Sequence, residues 1–343
     1  MPYMTANSYW GLAPEGSYQS ASVYTATYGT AASISTYTPI GSPKLTPTLK
    51  WLDDSDFRGS PVMHYDQVAG VRNDMFSGKT FMYSDVYPSL IRSTLGGVDV
   101  VGASVSVTNS VGASAVAYPH TIGLLNSAST GSQSPSYTIV NNSVDQSYQI
   151  TGARAVDLSL TFAADAAVET TFSFAGNISA SISPVTTVTE STQHLVPSWN
   201  VSASIGGASV AVVERATLDI KRSTAPIFTI GQQGPYNNFQ GPIDVMGQMD
   251  FVVETNGVGD NFYSQALTTN QQQVILKFTD PATGYFVQFQ MSKVQLEDPV
   301  IDQSKAYISL QTKFTAVANT IDAVYGGYSP IKAVVYNGVS TAY

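Results

Sequence analysis

The sequence contains no cysteine and few charged residues. None of its 343 residues is cysteine, which excludes disulfides, thiolate metal ligands and thiol chemistry. Charged residues make up only 11% of the chain, whereas a typical soluble domain has about 25%. A subunit that covers much of its surface with neighbouring subunits needs fewer charges, because less of its surface meets water. Low charge is therefore the first indication of an assembly, although a secreted β protein would show it as well.

Positive charge is in short supply. The chain has 15 Lys and Arg against 24 Asp and Glu, which gives a formal net charge of −9. Proteins that hold nucleic acid usually present a basic face that neutralises phosphates. The balance of charge therefore predicts that this protein does not bind nucleic acid tightly.

Export signals and membrane spans are also missing. The first residues, Met-Pro-Tyr-Met-Thr, have neither a basic segment nor an apolar one, so we expect no signal peptide. Apolar runs are interrupted well short of the ~18 residues that a membrane helix needs. The sequence therefore predicts a protein that is made in a cytoplasm and does not enter a membrane.

The sequence contains no complete motif for catalysis or phosphate binding. The three histidines, His64, His120 and His194, are far apart in the chain, so a zinc or iron site would need a coincidence of tertiary structure. No Gly-x-Ser-x-Gly elbow occurs. The Gly-Lys-Thr at residues 78–80 resembles the end of a phosphate loop, but Asn73 occupies the position of the required earlier glycine.

Two acidic clusters could suggest a metal site, but a solvated surface explains both of them better. Residues 53–56, Asp-Asp-Ser-Asp, resemble the start of a calcium loop, but Phe57 and Arg58 follow where another oxygen ligand and a glycine are needed. Glu297, Asp298 and Asp302 flank Pro299 and are predicted to lie in a solvent-facing loop. The sequence thus predicts no enzyme, no cofactor and no bound metal.

Alternation of apolar and polar residues dominates the chain from residue 136 onward. In residues 156–162, for example, Leu158, Leu160 and Phe162 alternate with Ser159 and Thr161. Such a period of two is typical of an antiparallel sheet with one face on a core and one face in water. The same pattern recurs around residues 217–221, 245–254, 274–279, 285–290 and 308–314, with a hairpin turn predicted at residues 280–284.

Two short helices are predicted within this β-rich chain. Ser84 and Asp85 offer an N-cap to a segment in which apolar residues recur at helical spacing, and Gly96 ends it. A second helix follows Asp260 as its N-cap, with Phe262 and Leu267 on one face. Residues 1–45 and 321–343 are rich in Tyr, Ser and Gly, and are predicted to form extended arms around a central β domain at 46–320. Residues 98–117 and 167–192 are predicted to be loop or hairpin insertions in that domain.

Several stretches, in order, resemble the major tail tube proteins of long-tailed, siphovirus-like bacteriophages, in particular those that infect actinobacteria. Residues 46–54 (Thr-Pro-Thr-Leu-Lys-Trp-Leu-Asp-Asp) with Phe-Arg-Gly-Ser at 57–60 resemble the opening segment of that family. His-Thr at 120–121, Pro-Ser-Tyr-Thr-Ile at 135–139 and the order of elements from residue 216 to residue 299 continue the likeness. The resemblance covers roughly residues 46–320, and the Ala/Ser/Gly-rich insert at 98–117 departs from it.

This resemblance implies a mainly β fold, an antiparallel β-barrel or sandwich of the phage tail-tube type with one or two short packed α-helices. It also implies a structural virion protein whose hexameric rings stack into a hollow tube for DNA. The expected partners are other copies of the chain, the tape measure protein, the tail terminator and the baseplate or distal tail proteins. DNA is expected to pass without specific binding. The expected location is the virion tail, after assembly in the host cytoplasm.

Acidic residues on the polar strand faces are candidates for the tube lumen, because a negative wall repels DNA within a Debye length of about 8 Å at physiological salt. Ordinary outer-surface charge explains these residues equally well. The alternatives for the whole protein are another phage structural protein, such as a head decoration or tail-tip protein, and an adhesin-like glycan-binding module; a hydrolase ranks last. The lumen candidates are Asp157, Asp219, Asp250 and Glu254.

Overall fold

A computed structural model gives the protein a mainly β, antiparallel architecture with two short helices, which confirms the predicted fold class. The helices are α1 (Tyr87–Leu95) and α2 (Val258–Ala266). The structure describes residues 8–20, 23–26, 28–34, 37–56, 58–60, 62–126, 133–142, 146–185, 189, 191–210, 212–253 and 258–343. The strands are β1 (Tyr9–Pro14), β2 (Gly16–Ser20), β3 (Val23–Ala26), β4 (Tyr37–Pro39), β5 (Gly41–Asp54), β6 (Asp66–Phe81), β7 (Val100–Val101), β8 (Val105–Thr108), β9 (Ser114–Gly123), β10 (Tyr137–Asn142), β11 (Ser147–Ala163), β12 (Glu169–Gly176), β13 (Ala180–Ile182), β14 (Val201–Ile205), β15 (Ala208–Val210), β16 (Val213–Ile227), β17 (Asn237–Val252), β18 (Gln272–Thr279), β19 (Phe286–Asp302), β20 (Ser309–Ala316) and β21 (Lys332–Asn337).

The strands form two layers over one hydrophobic core. One layer runs in the lateral order β5, β6, β12, β11, β16, β17, β20 and β19. The other layer contains β14, β18, the first half of β19, β21 and β9. Strand β19 belongs to both layers, since its first half pairs with β18 and β21 and its second half with β20. Phe162 of the first layer meets Phe278 of the second edge to face, with ring centroids 5.1 Å apart.

Alternation places the predicted residues in the core. Leu158, Leu160, Leu218 and Ile220 are fully buried, while the residues between them point to the opposite face. The hairpin predicted at 280–284 joins β18 to β19: the Asp280 carboxylate accepts a hydrogen bond from the backbone N–H of residue 282 at 2.8 Å. In β20, by contrast, Thr312 shares the buried face and donates its hydroxyl to the Glu297 carbonyl at 2.9 Å, and Ile308 lies exposed just before the strand.

Both helices are present, but neither begins with the predicted cap. In α1 the N-cap position is Val86, and Asp85 instead accepts a hydrogen bond from the Ser191 hydroxyl at 2.7 Å. Gly96 ends α1 in the left-handed conformation, as predicted. Helix α2 begins two residues before Asp260, and its Phe262 packs against Phe251 with ring centroids 4.9 Å apart. Leu267 lies after the last residue of α2 and is exposed, which differs from the predicted apolar face.

The terminal segments, which the composition predicts to be extended arms, contribute strands to the body of the fold. In the N-terminal segment β1 pairs with β10, and Trp10 stacks on Phe172 at 4.5 Å between ring centroids. Glu15 is 1% exposed, and its carboxylate accepts hydrogen bonds from Thr138 Oγ1 at 2.9 Å and from the Gly152 backbone N–H at 2.7 Å. In the C-terminal segment, β21 lies between β9 and β19. Burial of apolar side chains such as Trp10 stabilises these segments in the sheet, although their Tyr- and Gly-rich composition is typical of extended arms.

The two predicted insertions also have defined places. Strand β12, within 167–192, lies between β6 and β11 and buries Phe172 and Phe174, so this part is central rather than inserted. Residues 98–117 include β8 and the first residues of β9, which pair with each other as a hairpin. The turn of this hairpin contacts the 280–284 turn, where Asn109 Nδ2 donates to the Ala282 carbonyl at 2.8 Å.

We expect Leu218→Ala to destabilise the protein by about 2–5 kcal/mol, because it leaves a cavity in the middle of the first layer. Thr217→Ala, one residue away on the polar face, serves as the control and should change the free energy of unfolding by about 0.5 kcal/mol or less. Urea unfolding followed by tryptophan fluorescence measures both. Equal losses of unfolding free energy for the two variants would contradict the assignment of Leu218 to the core face and Thr217 to the polar face.

Candidate functional site

The first layer presents a polar face on the side opposite the core. Asp157 lies on β11, Asp219 on β16 and Asp250 on β17, which are adjacent strands. In the register of these strands Asp219 is opposite Ser159, two residues from Asp157, and Asp250 is opposite Arg215. The three side chains therefore share one face of one sheet. Glu254 lies outside the described residues.

Neutral donors hold these three carboxylates in place. The Ser173 hydroxyl donates to Asp157, and the Ser159 hydroxyl donates to Asp219. Asp250 accepts hydrogen bonds from Gln248 Nε2 and Gln311 Nε2, each at 3.1 Å. Serine and glutamine bring no charge, so these contacts orient the carboxylates and leave their negative charge in place.

The polar face as a whole carries charges of both signs. Lys79 forms a 3.0 Å ion pair with Glu169 across β6 and β12. Lys313 of β20 reaches Asp298 at 3.0 Å. Lys221 lies opposite Asp157 in the register of β11 and β16. Lys79, Lys313 and Lys221 thus lie beside carboxylates, and this face has no dense positive patch among the described residues.

The first layer has two open edges. In the described part of the chain, β5 pairs only with β6, and residues 295–302 of β19 pair only with β20. An open strand edge exposes unpaired N–H and C=O groups, which are a template for pairing with another chain. The edges differ in charge, since β5 carries Lys44 and Lys50 with Asp53 and Asp54 at its hairpin end, whereas residues 295–302 carry only carboxylates, Glu297, Asp298 and Asp302.

Exposed apolar side chains concentrate on the hairpins beside these edges. The β5–β6 hairpin exposes Trp51 and Leu52 by 55% and 51%, and the β19–β20 hairpin exposes Val300 and Ile301 by 53% and 47%. Apolar groups grouped in this way commonly mark protein–protein contacts. The β16–β17 hairpin exposes a third set: Ile227, Ile230, Tyr236 and Phe239.

A comparison with protein families shows to which family the chain belongs. The profile of the family described as phage tail tube protein matches residues 16–316, most of the chain. The chain belongs to this family. Among curated proteins, no match was found. Tail tube proteins are structural components of the phage tail and not an enzyme family, so the family agrees with the lack of catalytic motifs in the sequence. The mainly β fold is therefore that of a tail tube subunit.

The motifs that sequence analysis set aside have ordinary roles in the tail tube subunit. Residues 78–80 lie within strand β6 rather than in a phosphate loop. Glu297 and Asp298 lie in strand β19 and not in the predicted loop; a β-bulge at this point gives Asp298 a φ of 47°. No cluster of potential metal ligands occurs in the part of the chain that the structure describes, and none of its helices is long and apolar enough to cross a membrane.

Arg72 and Asp74 anchor the β5–β6 hairpin where it leaves the body. Asp74 is fully buried and accepts hydrogen bonds from Arg72 Nε at 2.7 Å, Arg72 Nη2 at 2.6 Å and the Ser179 backbone N–H at 2.9 Å. Burial by itself would raise the pKa of Asp74, but the hydrogen bonds from Arg72 and Ser179 outweigh it and lower the pKa. Sequence reasoning missed this anchor because Ser179 is 105 residues away.

We expect Asp74→Asn to destabilise the tail tube subunit by about 1–3 kcal/mol, since it removes charged hydrogen bonds from a buried site. Because the pKa of Asp74 is lowered on folding, its contribution is present above the unfolded pKa of ~3.9 and is lost as pH falls through the folded pKa. Thermal unfolding between pH 2 and pH 7 measures both effects. Asp54→Asn, at the exposed Arg58 pair, is the control and should cost about 1 kcal/mol or less.

Proposed function

We propose that this tail tube protein assembles into hexameric rings that stack into the hollow tail of a siphovirus-like phage of the actinobacteriophage type. Genomic DNA passes through the tube into the host. The open-edged first layer with its polar face is the observation that carries this proposal. The ring number and the phage type come from the sequence resemblance described above.

Ring closure follows from the two unlike edges of the first layer. A contact between different surfaces of identical subunits forms a ring when its rotation closes. The part of β5 that carries Lys44 and Lys50, before Asp53 and Asp54, complements the edge at residues 295–302 of the next subunit, where Glu297 and Asp302 add to an Asp298 already paired with Lys313. Trp51 and Leu52 add apolar area at the same contact. Pairing of these edges would satisfy the free backbone groups of both strands.

The polar face then lines the lumen, and the second layer faces outward. DNA carries one charge per ~1.7 Å of axis, so a wall of free Lys and Arg would release counterions and bind it. On this face carboxylates lie beside the cations, and Asp157, Asp219 and Asp250 add negative charge. Such a wall repels the duplex at short range, which lets DNA slide through water without a specific site.

The proposed partners are other copies of this chain, the tape measure protein, the tail terminator and the baseplate or distal tail proteins. The proposed location is the virion tail, reached after assembly in the host cytoplasm. A tube of stacked rings needs such proteins because its own contacts repeat without a defined end. A head decoration protein or a tail-tip glycan-binding module would instead form capsid-bound or capped particles.

We expect the purified protein, alone or with other tail components, to form open-ended hollow cylinders with a regular axial repeat in negative-stain electron micrographs. The double substitution Trp51→Ser and Leu52→Ser should abolish cylinders without changing the circular dichroism of the subunit, because both side chains are exposed in it. Val111→Ser, at a site 84% exposed in the turn between β8 and β9, is the matched control and should leave the cylinders intact. Closed monomers under all conditions, or cylinders from the double variant, would contradict the proposal.

The direction of the polar face can be tested with single cysteines, since the chain has none of its own. In assembled tubes, Asp219→Cys and Asp250→Cys should react with a small maleimide but not with a maleimide carried on a globular protein too large for the lumen. Val111→Cys, on the second layer, should react with both reagents. If the bulky reagent labels residues 219 and 250 as fast as residue 111, the polar face lies outside.

A further inference from the structure

A buried histidine fastens the C-terminal residues to the body of the fold. His120 lies on β9, its side chain is fully buried, and both ring nitrogens meet oxygen atoms. Nδ1 is 2.6 Å from Asp99 Oδ2, and Nε2 is 2.8 Å from the backbone carbonyl oxygen of Val339. Neither oxygen carries a proton to donate, since one belongs to a carboxylate and the other to a peptide group.

This geometry favours the imidazolium form. A neutral histidine has one N–H, so it can satisfy only one of the two oxygens and would set a nitrogen lone pair against the other. An imidazolium donates to both. Burial by itself lowers the pKa of His120, but the hydrogen bond and charge of Asp99, with the Val339 carbonyl, outweigh burial and raise it above its usual value.

The same contacts hold residues 338–343. The Tyr343 backbone N–H donates to Asp99 Oδ2 at 3.1 Å, the oxygen that His120 also uses. The Tyr343 ring meets the His120 ring edge to face at 5.1 Å, and its hydroxyl donates to the Asp85 carbonyl. Asn337 Nδ2 donates to the Tyr343 hydroxyl at 2.8 Å. Asp99 and His120 therefore form the centre of this attachment.

The attached segment forms one wall of a cavity. This cavity has a volume of about 540 Å³, and Val339, Thr341 and Tyr343 line it opposite Trp10 and Leu90. Trp10 belongs to the N-terminal strand and Leu90 to α1, so the cavity lies between the C-terminal residues, the N-terminal strand and α1. Movement of residues 338–343 would widen it.

We propose that His120 is a proton-dependent clamp, which holds residues 338–343 against the body when protonated and releases them when it loses its proton. Deprotonation at Nε2 leaves the buried Val339 carbonyl oxygen without its donor, which costs about 1–3 kcal/mol. Deprotonation at Nδ1 leaves the Tyr343 N–H as a donor to Asp99 Oδ2 but sets a nitrogen lone pair against that oxygen. Either loss weakens the attachment of residues 338–343, and the cavity beside Trp10 widens as the segment leaves.

The titratable groups around His120 do not reverse the direction of this pH dependence. Asp99, which precedes β7, and Tyr343, from the segment itself, face the ring, and Asp85 lies beyond the Tyr343 hydroxyl. Burial raises the pKa of Tyr343, so it stays neutral while His120 titrates. Because the pKa of His120 is raised on folding, the clamp is fully present below the unfolded pKa of ~6.5 and is lost as pH rises through the folded pKa.

The test uses the full chain with His64→Gln and His194→Gln, because both of those side chains are exposed and their removal leaves His120 as the single histidine. Its Hε1 proton resonance, followed by NMR from pH 5 to pH 10, should report a pKa above ~6.5. Amide hydrogen exchange in residues 338–343, corrected for the intrinsic effect of pH, should accelerate by up to about tenfold per pH unit between ~6.5 and that pKa and level off above it.

His120→Gln supplies the second arm. In this variant the amide hydrogens of residues 338–343 should exchange rapidly at every pH, so that their exchange no longer depends on the protonation of residue 120. The amides of the core strand β16 should stay protected, which is the control for folding. A His120 pKa below ~6.5 would overturn the proposal. Exchange in residues 338–343 that follows β16 instead of His120 would overturn it too, since it would show that the segment opens only with the whole fold. If His120→Gln fails to fold, the NMR titration of the folded double variant still decides.

Discussion

Unpaired backbone at the two ends of the first layer is the constraint on which the rest of this structure depends. Each open edge presents N–H and C=O groups that a stable protein pairs, covers or guards with charge. Strand β5 is partly guarded, since it contains Lys44, Lys50 and two prolines, yet it also exposes Trp51 and Leu52. A strand edge that is guarded by lysines can still pair with an edge of opposite charge. In the proposed ring, the carboxylates of residues 295–302 in another copy form that edge. The proposed ring is a solution to this constraint.

Period-two alternation makes such a layer possible. It puts leucine, isoleucine and phenylalanine on the dry face of each strand and places polar side chains side by side across the wet face. Each strand contributes only a few charges, and strand pairing turns these into a surface. A tube for DNA needs such a surface to be wet and short of free cations, and the hydrogen bonds to Asp157, Asp219 and Asp250 keep its carboxylates oriented.

Buried polar contacts attach to the body of the fold those segments that the alternation of apolar and polar residues does not place there. Glu15 joins the N-terminal segment to residues 138 and 152, Asp74 holds the base of the β5–β6 hairpin, and His120 with Asp99 holds the C-terminal residues. Each is a charged group in a site with little water, so its loss leaves other polar atoms unsatisfied. Contacts of this kind hold one defined arrangement, which suits a subunit that must repeat the same contact throughout a tube.

The sequence by itself determined the β-rich class, the two helices, the 280–284 turn and the dry and wet sides of β11, β16 and β17. These follow from local period and turn chemistry, which depend on neighbours a few residues apart. Only the tertiary structure decided that the terminal segments enter the sheet, that β12 is central and that the three aspartates share a face. It also decided which edges stay open and that His120 meets Asp99 and Val339. The reason is that these contacts join residues up to 219 positions apart, and composition or period in one stretch carries no information about a distant partner.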